Sequence, residues 1–338
     1  MMESYIGDCQ NSSNCTCCTF EDPLLSNILP SVLIIIFVFG TVLNGFALWG
    51  FCFYIKEWKS STVYLFNLSV ADFLLMICLP FRTDYYLRNM TWIHGDIPCR
   101  LMLFMLAMNR TGSIFFLTLV ATDRYIRVVY PYSKINFIPT KLAAVIASAV
   151  WLVTILLTAS ILTKVYTGRD MSTKAYCDSF MVCPADSRWR DILFIFNFFL
   201  PLCIVLFCTG CIIWRLRQRN LDKNVRIRKA VKCIMLVGMV FLICYLPSVS
   251  TRIEVLRIQA SSERKKCSVY RTIDNAFYIT ICFTYINSMC NPLVYYFSNP
   301  SLRKFYLKIL QCSSQTESET ETGPNDNNTS MTPSNNRL

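Results

Sequence analysis

LMLFMLAMNRTGSIFFLTLV, residues 101–120, is an apolar run of twenty residues whose single charge, Arg110, sits near its middle. As a helix, about twenty residues span ~30 Å, the thickness of a bilayer's hydrocarbon core. A guanidinium at that depth costs roughly 2.5–3.5 kcal/mol on insertion scales, so it implies a partner or a ligand. Counting every stretch of this kind places membrane spans near 26–53, 62–87, 98–123, 141–163, 191–214, 230–253 and 272–297. Short strands of alternating polarity are absent, which excludes a transmembrane β-barrel. The expected fold is an all-α membrane protein, a seven-transmembrane helix bundle.

Composition agrees. The 338 residues are 54% hydrophobic and only 16% charged, against about 25% charged in soluble domains. A net charge of +12 would suit nucleic acid, but the bases lie beside membrane ends, so topology explains them better and no nucleic-acid partner is expected. Residues 1–25 hold no Lys or Arg, whereas Arg215, Arg217, Arg219, Lys223, Arg226, Arg228, Lys229 and Lys232 follow span five with one acid, Asp222. The positive-inside rule then puts the N-terminus outside and this loop and the tail in the cytoplasm, as in a multi-pass plasma-membrane protein. No cleavable leader is expected before the first span. The chain divides into an extracellular segment (1–25), a membrane domain (26–299), an amphipathic helix (300–311) and a disordered cytoplasmic tail (312–338).

The eighteen cysteines sort by depth. Cys52, Cys78, Cys203, Cys208, Cys211, Cys233, Cys244, Cys282 and Cys290 fall in spans or at their inner ends, where they pack as thiols. Cys9, Cys15, Cys17, Cys18, Cys99, Cys177, Cys183 and Cys267 fall on the outside, where oxidation is permitted. Cys312, just past the amphipathic stretch, reads as a palmitoylation site. Asn11, Asn14 and Asn89 open glycosylation sequons on the outside, whereas the sequons at Asn67 and Asn109 are buried in spans and read as chance.

Several motifs fall in the order found in rhodopsin-like G-protein-coupled receptors. They are Asn44, Leu68-Ser69-Val70-Ala71-Asp72, Cys99, Asp123-Arg124-Tyr125, Trp151, Pro201, Cys244-Tyr245-Leu246-Pro247 and Asn291-Pro292-Leu293-Val294-Tyr295, each in its expected span. One such tripeptide carries nothing; the whole set carries the assignment. Within that class the chain resembles the hydroxycarboxylic acid receptors, through Ile77–Arg88, Gly95–Arg100, Leu106–Arg110, Leu246–Val249 and Phe283–Tyr285. Phe81–Tyr86 is most similar to the lactate-responding members. The resemblance covers about 20–310 and leaves the tails uninformed.

The resemblance implies three outer disulfides, Cys99–Cys177, Cys17–Cys183 and Cys18–Cys267; Cys9 and Cys15, left over, are expected to pair. It also implies an anion site. Arg110, Arg252 and Tyr285 would hold a carboxylate, Ser179 and Phe180 would cap it, and Leu106, Phe180 and Tyr278 would face the rest of the ligand. Arg82 and Arg190 would add positive potential at the rim. Arg110 lies eleven residues below Cys99, about 16 Å down the helix, and its planar fork suits a carboxylate as lysine would not. Other readings stay open: a salt bridge from Arg110 to Asp72, a snorkelling Arg252, ordinary packing of Tyr285, and solvated charges at Arg82 and Arg190.

Asp72, Asn109, Ser113, Asn287, Ser288 and Asn291 stand at the family's sodium-site positions, and an allosteric sodium ion or a hydrated hydrogen-bond network would satisfy the buried carboxylate. Otherwise no cofactor is expected. Pro201, Ile114 and Phe241 match the packing triad that reports ligand binding, and Pro247 is expected to kink span six. Three departures stand out: Tyr245 in place of the usual tryptophan, Ile227 in place of an acid facing Arg124, and Asn291 where aspartate is common. Without that acid, Arg124 is expected to pair only with Asp123.

The implied function is a receptor for a small monocarboxylate such as lactate, acting through inhibitory heterotrimeric G proteins to lower cyclic AMP. Receptor kinases and arrestin would read Ser318, Thr320 and Thr322, set among Glu317, Glu319 and Glu321. The alternatives are a longer oxidised fatty acid as agonist, or a carboxylate transporter. The latter is opposed by the absence of inverted repeats and paired broken helices in the sequence. An enzyme is not expected: the one histidine, His94, lies in a loop and no nucleophile–base pair is visible.

Overall fold

The computed structural model describes residues 23–131, 138–163, 167–169, 175–178, 180, 189–219, 225–260 and 267–309, with backbone alone at several element ends. Lipid offers backbone groups no hydrogen bonds, so each crossing must satisfy its own amides, and helices do so. Seven long rods result. They are α1 (Pro23–Trp49, continued by a π turn Gly50–Tyr54), α2 (Ser60–Leu87), α3 (Asp96–Val129), α4 (Thr140–Thr158, then a turn Ser160–Thr163), α5 (Trp189–Arg219), α6 and α7 (Cys267–Ser298). Rod α6 has three parts, Val225–Val240, a π turn Phe241–Tyr245, and Leu246–Ala260. A hairpin, β1 (Thr167–Arg169) antiparallel to β2 (Ala175–Cys177), lies between α4 and α5.

Six of these helices are long and apolar enough to cross a membrane. Helix α7 has the length, but Asn287, Ser288 and Asn291 interrupt its apolar run; all three are fully buried, so the polarity faces the bundle. Burial ranks the rods. The membrane window of α3 is 72% buried, against 28% for α1 and 22% for α4. Helix α3 is therefore the central post, touching α2, α4, α5, α6 and α7, while α1 and α4 turn Phe39, Val145 and Leu156 outward. The helices outrun the spans expected from apolarity because their flanks stay helical. Helix α5 continues to Arg219 and α6 begins at Val225, so most of the basic "loop" lies on helix ends.

Polar side chains staple the rods. Asn44 donates to the Ser288 carbonyl at 2.9 Å, joining α1 to α7. Trp151 donates to Asn67 at 2.8 Å, joining α4 to α2, and Asn109 donates to the Ala71 carbonyl at 3.0 Å, joining α3 to α2. Pro247 has no N–H to give, and the π turn just before it absorbs the mismatch, with the Leu246 N–H reaching back to Phe241. The expected kink thus takes the form of a local widening of the helix.

Cys99 and Cys177 form a disulfide that ties the start of α3 to β2. Among the described residues nine cysteines are free, and they are the nine assigned to the spans. Cys9, Cys15, Cys17, Cys18, Cys183 and Cys312 lie outside the described residues, as do Asn11 and Asn14; Cys267 is described by its backbone alone. Asn89 is exposed in the α2–α3 turn at φ 51°, a left-handed conformation that asparagine tolerates. Past α7, residues 300–309 are helical. Asn299 caps them, its side-chain oxygen accepting from the N–H groups of Ser301 and Leu302 at 3.0 and 3.4 Å.

Candidate functional site

In the half of the bundle that carries the disulfide, a cavity of about 100 Å³ opens between α2, α3, α4, α5 and α7. Arg110 forms part of its wall. The side chain is only 6% exposed, and its guanidinium lies 3.4 Å from the Phe194 ring centroid on α5. Nε and Nη2 are buried without a hydrogen-bond partner among the described residues. Stacking on a ring face recovers part of a cation's lost hydration, but donors left unmade at this depth remain costly. Asp72 does not relieve them. Its oxygens accept from Asn291 and Tyr295 at 2.7 and 2.9 Å and from Ser113 and Asn109 at 3.2 and 3.4 Å.

Leu106, Phe180, Tyr278 and Tyr285, expected around the ligand, all line this cavity. Tyr285 and Tyr278 come from one face of α7, and neither hydroxyl bonds to a described residue. Phe180 packs edge-on against Phe194 and Phe277 at 5.2 and 5.1 Å, and its N–H is held by Asp178 at 2.9 Å. Ser179 lies outside the described residues, and Arg190 is described by its backbone alone.

The two other arginines differ from expectation. Arg82 is not a solvated rim charge. It is 4% exposed, lines the cavity, pairs with Asp178 at 3.3 Å, and donates to Tyr86 and the Cys177 carbonyl at 2.9 and 3.2 Å. Arg252 is 3% exposed but is not among the lining residues. Its Nε donates to Asp191 at 2.7 Å and Nη1 to the Phe180 carbonyl at 3.0 Å. Each buried cation next to a carboxylate is thereby neutralised, as low dielectric demands. Of the charged lining residues Arg82, Asp178 and Arg110, the first two cancel and one positive charge remains.

Among the lining residues that escaped the sequence reading, three bear on the chemistry. Asp178 follows Cys177 and could have been found as the acid nearest the disulfide. Asn197 is a lone amide inside the apolar run of span five, a visible signal. Phe194 carries none, being one of four phenylalanines between 194 and 199.

Midway down the bundle the expected polar set assembles, but not as a cation site. Both oxygens of Asp72 already accept two donors each, so sodium would have to displace them, and Asn287 instead donates to the Tyr245 hydroxyl at 2.7 Å. Residues so arranged do not fit a sodium ion; the alternative, a hydrogen-bonded network, is what they form. Tyr245, the departure in α6, thus gains a partner on α7. Nearby, Ile114 and Phe241 are fully buried, and Phe241 stacks on Phe198, one turn before Pro201, at 6.3 Å.

At the far end, Arg124 does not pair with Asp123. It donates to the Ser298 carbonyl at the end of α7 at 3.1 Å. Asp123 accepts instead from Ser60, Ser61 and Arg127 at 2.9, 2.6 and 2.9 Å, because the helix turn that aims Arg124 inward points Asp123 toward α2. Tyr125 packs on Tyr130 and Phe207. Pro292 lies within α7, one residue after Asn291. The side chain of Ile227 is not described.

Residues 43–295 match the family described as 7 transmembrane receptor (rhodopsin family). Human hydroxycarboxylic acid receptor 1 is 52% identical over 301 residues, covering 89% of this chain and 85% of the relative. Human hydroxycarboxylic acid receptor 2 is 50% identical over 314 residues, 93% of this chain and 85% of the relative. The mouse 12-(S)-hydroxy-5,8,10,14-eicosatetraenoic acid receptor is 37% identical over 301 residues, 88% and 92% of the two chains. The protein is a multi-pass membrane receptor built on a seven-helix bundle, not an enzyme. The chain therefore belongs to the rhodopsin family of G-protein-coupled receptors and, within it, to the hydroxycarboxylic acid receptors.

Proposed function

We propose that this receptor is activated by a small monocarboxylate, a short hydroxy acid such as lactate, held at Arg110, and that it couples to inhibitory heterotrimeric G proteins and lowers cyclic AMP. One observation carries the reading. The Arg110 guanidinium is buried at membrane depth, faces a cavity and lacks partners among the described residues for two of its nitrogens. A carboxylate supplies the charge and the paired acceptors that this fork lacks, with Tyr285 as a neutral donor beside it. The lining balance of one positive charge favours a single acid group. A cavity near 100 Å³ suits a few heavy atoms better than a long-chain oxidised fatty acid. Arg252 acts through Phe180, whose carbonyl it holds, and Ser179 and Arg190 complete the cap and rim.

The remaining assignments follow the same frame. The N-terminus is extracellular and the tail cytoplasmic. Cys17–Cys183 and Cys18–Cys267 staple the N-terminal segment over the cavity, Asn11, Asn14 and Asn89 carry glycans, and Cys312 is palmitoylated. Residues 300–309 lie on the inner leaflet as an amphipathic eighth helix, and phosphorylated Ser318, Thr320 and Thr322 recruit arrestin. The decisive experiment is Arg110→Ala, with surface expression measured separately. Acid-evoked inhibition of cyclic AMP is lost while the receptor reaches the surface; an unaltered dose response would remove the anion site.

A further inference from the structure

Asn197 shares the cavity with Arg110 and has no hydrogen-bond partner among the described residues. It sits three residues after Phe194, on the same face of α5, and Phe194 is the ring over which the Arg110 guanidinium lies at 3.4 Å. Asn197 is therefore about one helical turn from the ring on which the anion's anchor lies, in a cavity that Tyr278 and Tyr285 of α7 also line. On the α3 side the lining consists of Leu103, Leu106, Ala107, Arg110 and Thr111. The Asn197 side chain is half-buried, and a ligand that displaces water from its amide loses affinity unless it replaces those hydrogen bonds. Two of the lining hydroxyls are already committed. Thr158 donates to the Thr154 carbonyl at 2.8 Å and Thr284 to the Ile281 carbonyl at 2.6 Å. Among the described lining residues Asn197 is the one amide, and it offers a donor and an acceptor together, the complement of a hydroxyl.

We propose that Asn197 is a specificity-determining residue that reads an oxygen substituent on the bound acid, so the site prefers a hydroxy acid to the same acid lacking the hydroxyl. The inference rests on Arg110 as carboxylate holder. Because Arg110 leans on the face of α5 that carries Asn197, the substituent sits on the second or third carbon. A deoxy acid would leave the amide desolvated and unpaired, which is how sites built for a hydroxyl reject its absence.

The test uses the full-length receptor in membranes, with G-protein nucleotide exchange driven by matched pairs, lactate against propionate and 3-hydroxybutyrate against butyrate. The wild type answers the hydroxy acids at lower concentration. In Asn197→Ala their half-maximal concentration rises about tenfold, the value of one hydrogen bond, while the deoxy acids keep theirs and the preference collapses. Asn197→Ser, which keeps a donor and an acceptor, restores part of the preference and serves as the second variant should the alanine form fold poorly. A preference unchanged in Asn197→Ala, an equal weakening of both acids, or a wild type indifferent to the hydroxyl would overturn the proposal. Arg110→Ala separates the two claims: it should silence both members of each pair. If it does not, the carboxylate reading has failed rather than the role of Asn197 alone.

Discussion

Arg252 on α6 is bound to Asp191 on α5 at 2.7 Å, and both side chains are buried. Its charge is spent within the protein, whereas that of Arg110 is not. Breaking such a pair from one side leaves an uncompensated ion and costs about 3–5 kcal/mol, while replacing both partners by apolar residues is often neutral. Asp191→Asn is therefore expected to lower the thermal unfolding midpoint and surface level of the receptor. The double variant Asp191→Leu with Arg252→Met should recover both and keep acid potency within about tenfold. A stable double variant that ignores acids would show that Arg252 grips the ligand itself.

Arg110→Lys distinguishes charge from shape. Lysine keeps the positive charge but offers a point donor in place of the planar fork, and it loses the stacking on Phe194. The expected outcome is a rise of about ten- to a hundredfold in the half-maximal acid concentration, worth roughly 1.4–2.7 kcal/mol. Equal potency of the lysine form in a nucleotide-exchange assay would mean that bidentate geometry contributes nothing.

Which features were legible in the sequence follows from what each depends on. The rods were, because lipid forces apolar length onto every crossing, and Arg110 was, because a charge there is so costly. The partners of Arg82, Arg252 and Arg124 were not. Arg252 and Asp191 are 61 residues apart and Arg124 and Ser298 are 174 apart, so only the packed bundle decides that they meet. Span seven illustrates both sides. Its polar Asn287, Ser288 and Asn291 suggested a cation site, yet whether such a set binds sodium or closes on itself depends on rotamers and on Tyr295, whose hydroxyl reaches Asp72 at 2.9 Å.

Asp123 holds α2 through Ser60 and Ser61 and holds Arg127 on its own helix, leaving Arg124 to the end of α7. Asp123→Asn should therefore destabilise the receptor, with each lost hydrogen bond to charge worth about 1.5–3 kcal/mol, without raising nucleotide exchange in the absence of agonist. Arg124→Ala should abolish agonist-driven exchange yet leave radiolabelled acid binding in place. High basal exchange in Asp123→Asn would restore the pairing of Asp123 with Arg124 that the geometry does not contain.

Gly50 opens the π turn at the end of α1, against the helical stretch 300–309. A Cβ there would fall 2.9 Å from Leu302 Cδ2 and 3.0 Å from Phe305 Cδ1 and Cε1. Leu302 is fully buried, and Phe305 is enclosed by Trp49 and Tyr54 at 6.0 and 5.3 Å, so neither side chain can simply step aside. Overpacking of this kind costs about 1–3 kcal/mol, and the short helix, anchored mainly by these two side chains, is the part with least to lose by moving. Gly50→Val should accordingly speed hydrogen exchange across 300–309 while leaving α2 and α3 protected, with Gly50→Ala intermediate. Unchanged protection of 300–309 in the valine form would mean that the segment is held by something other than its packing against α1.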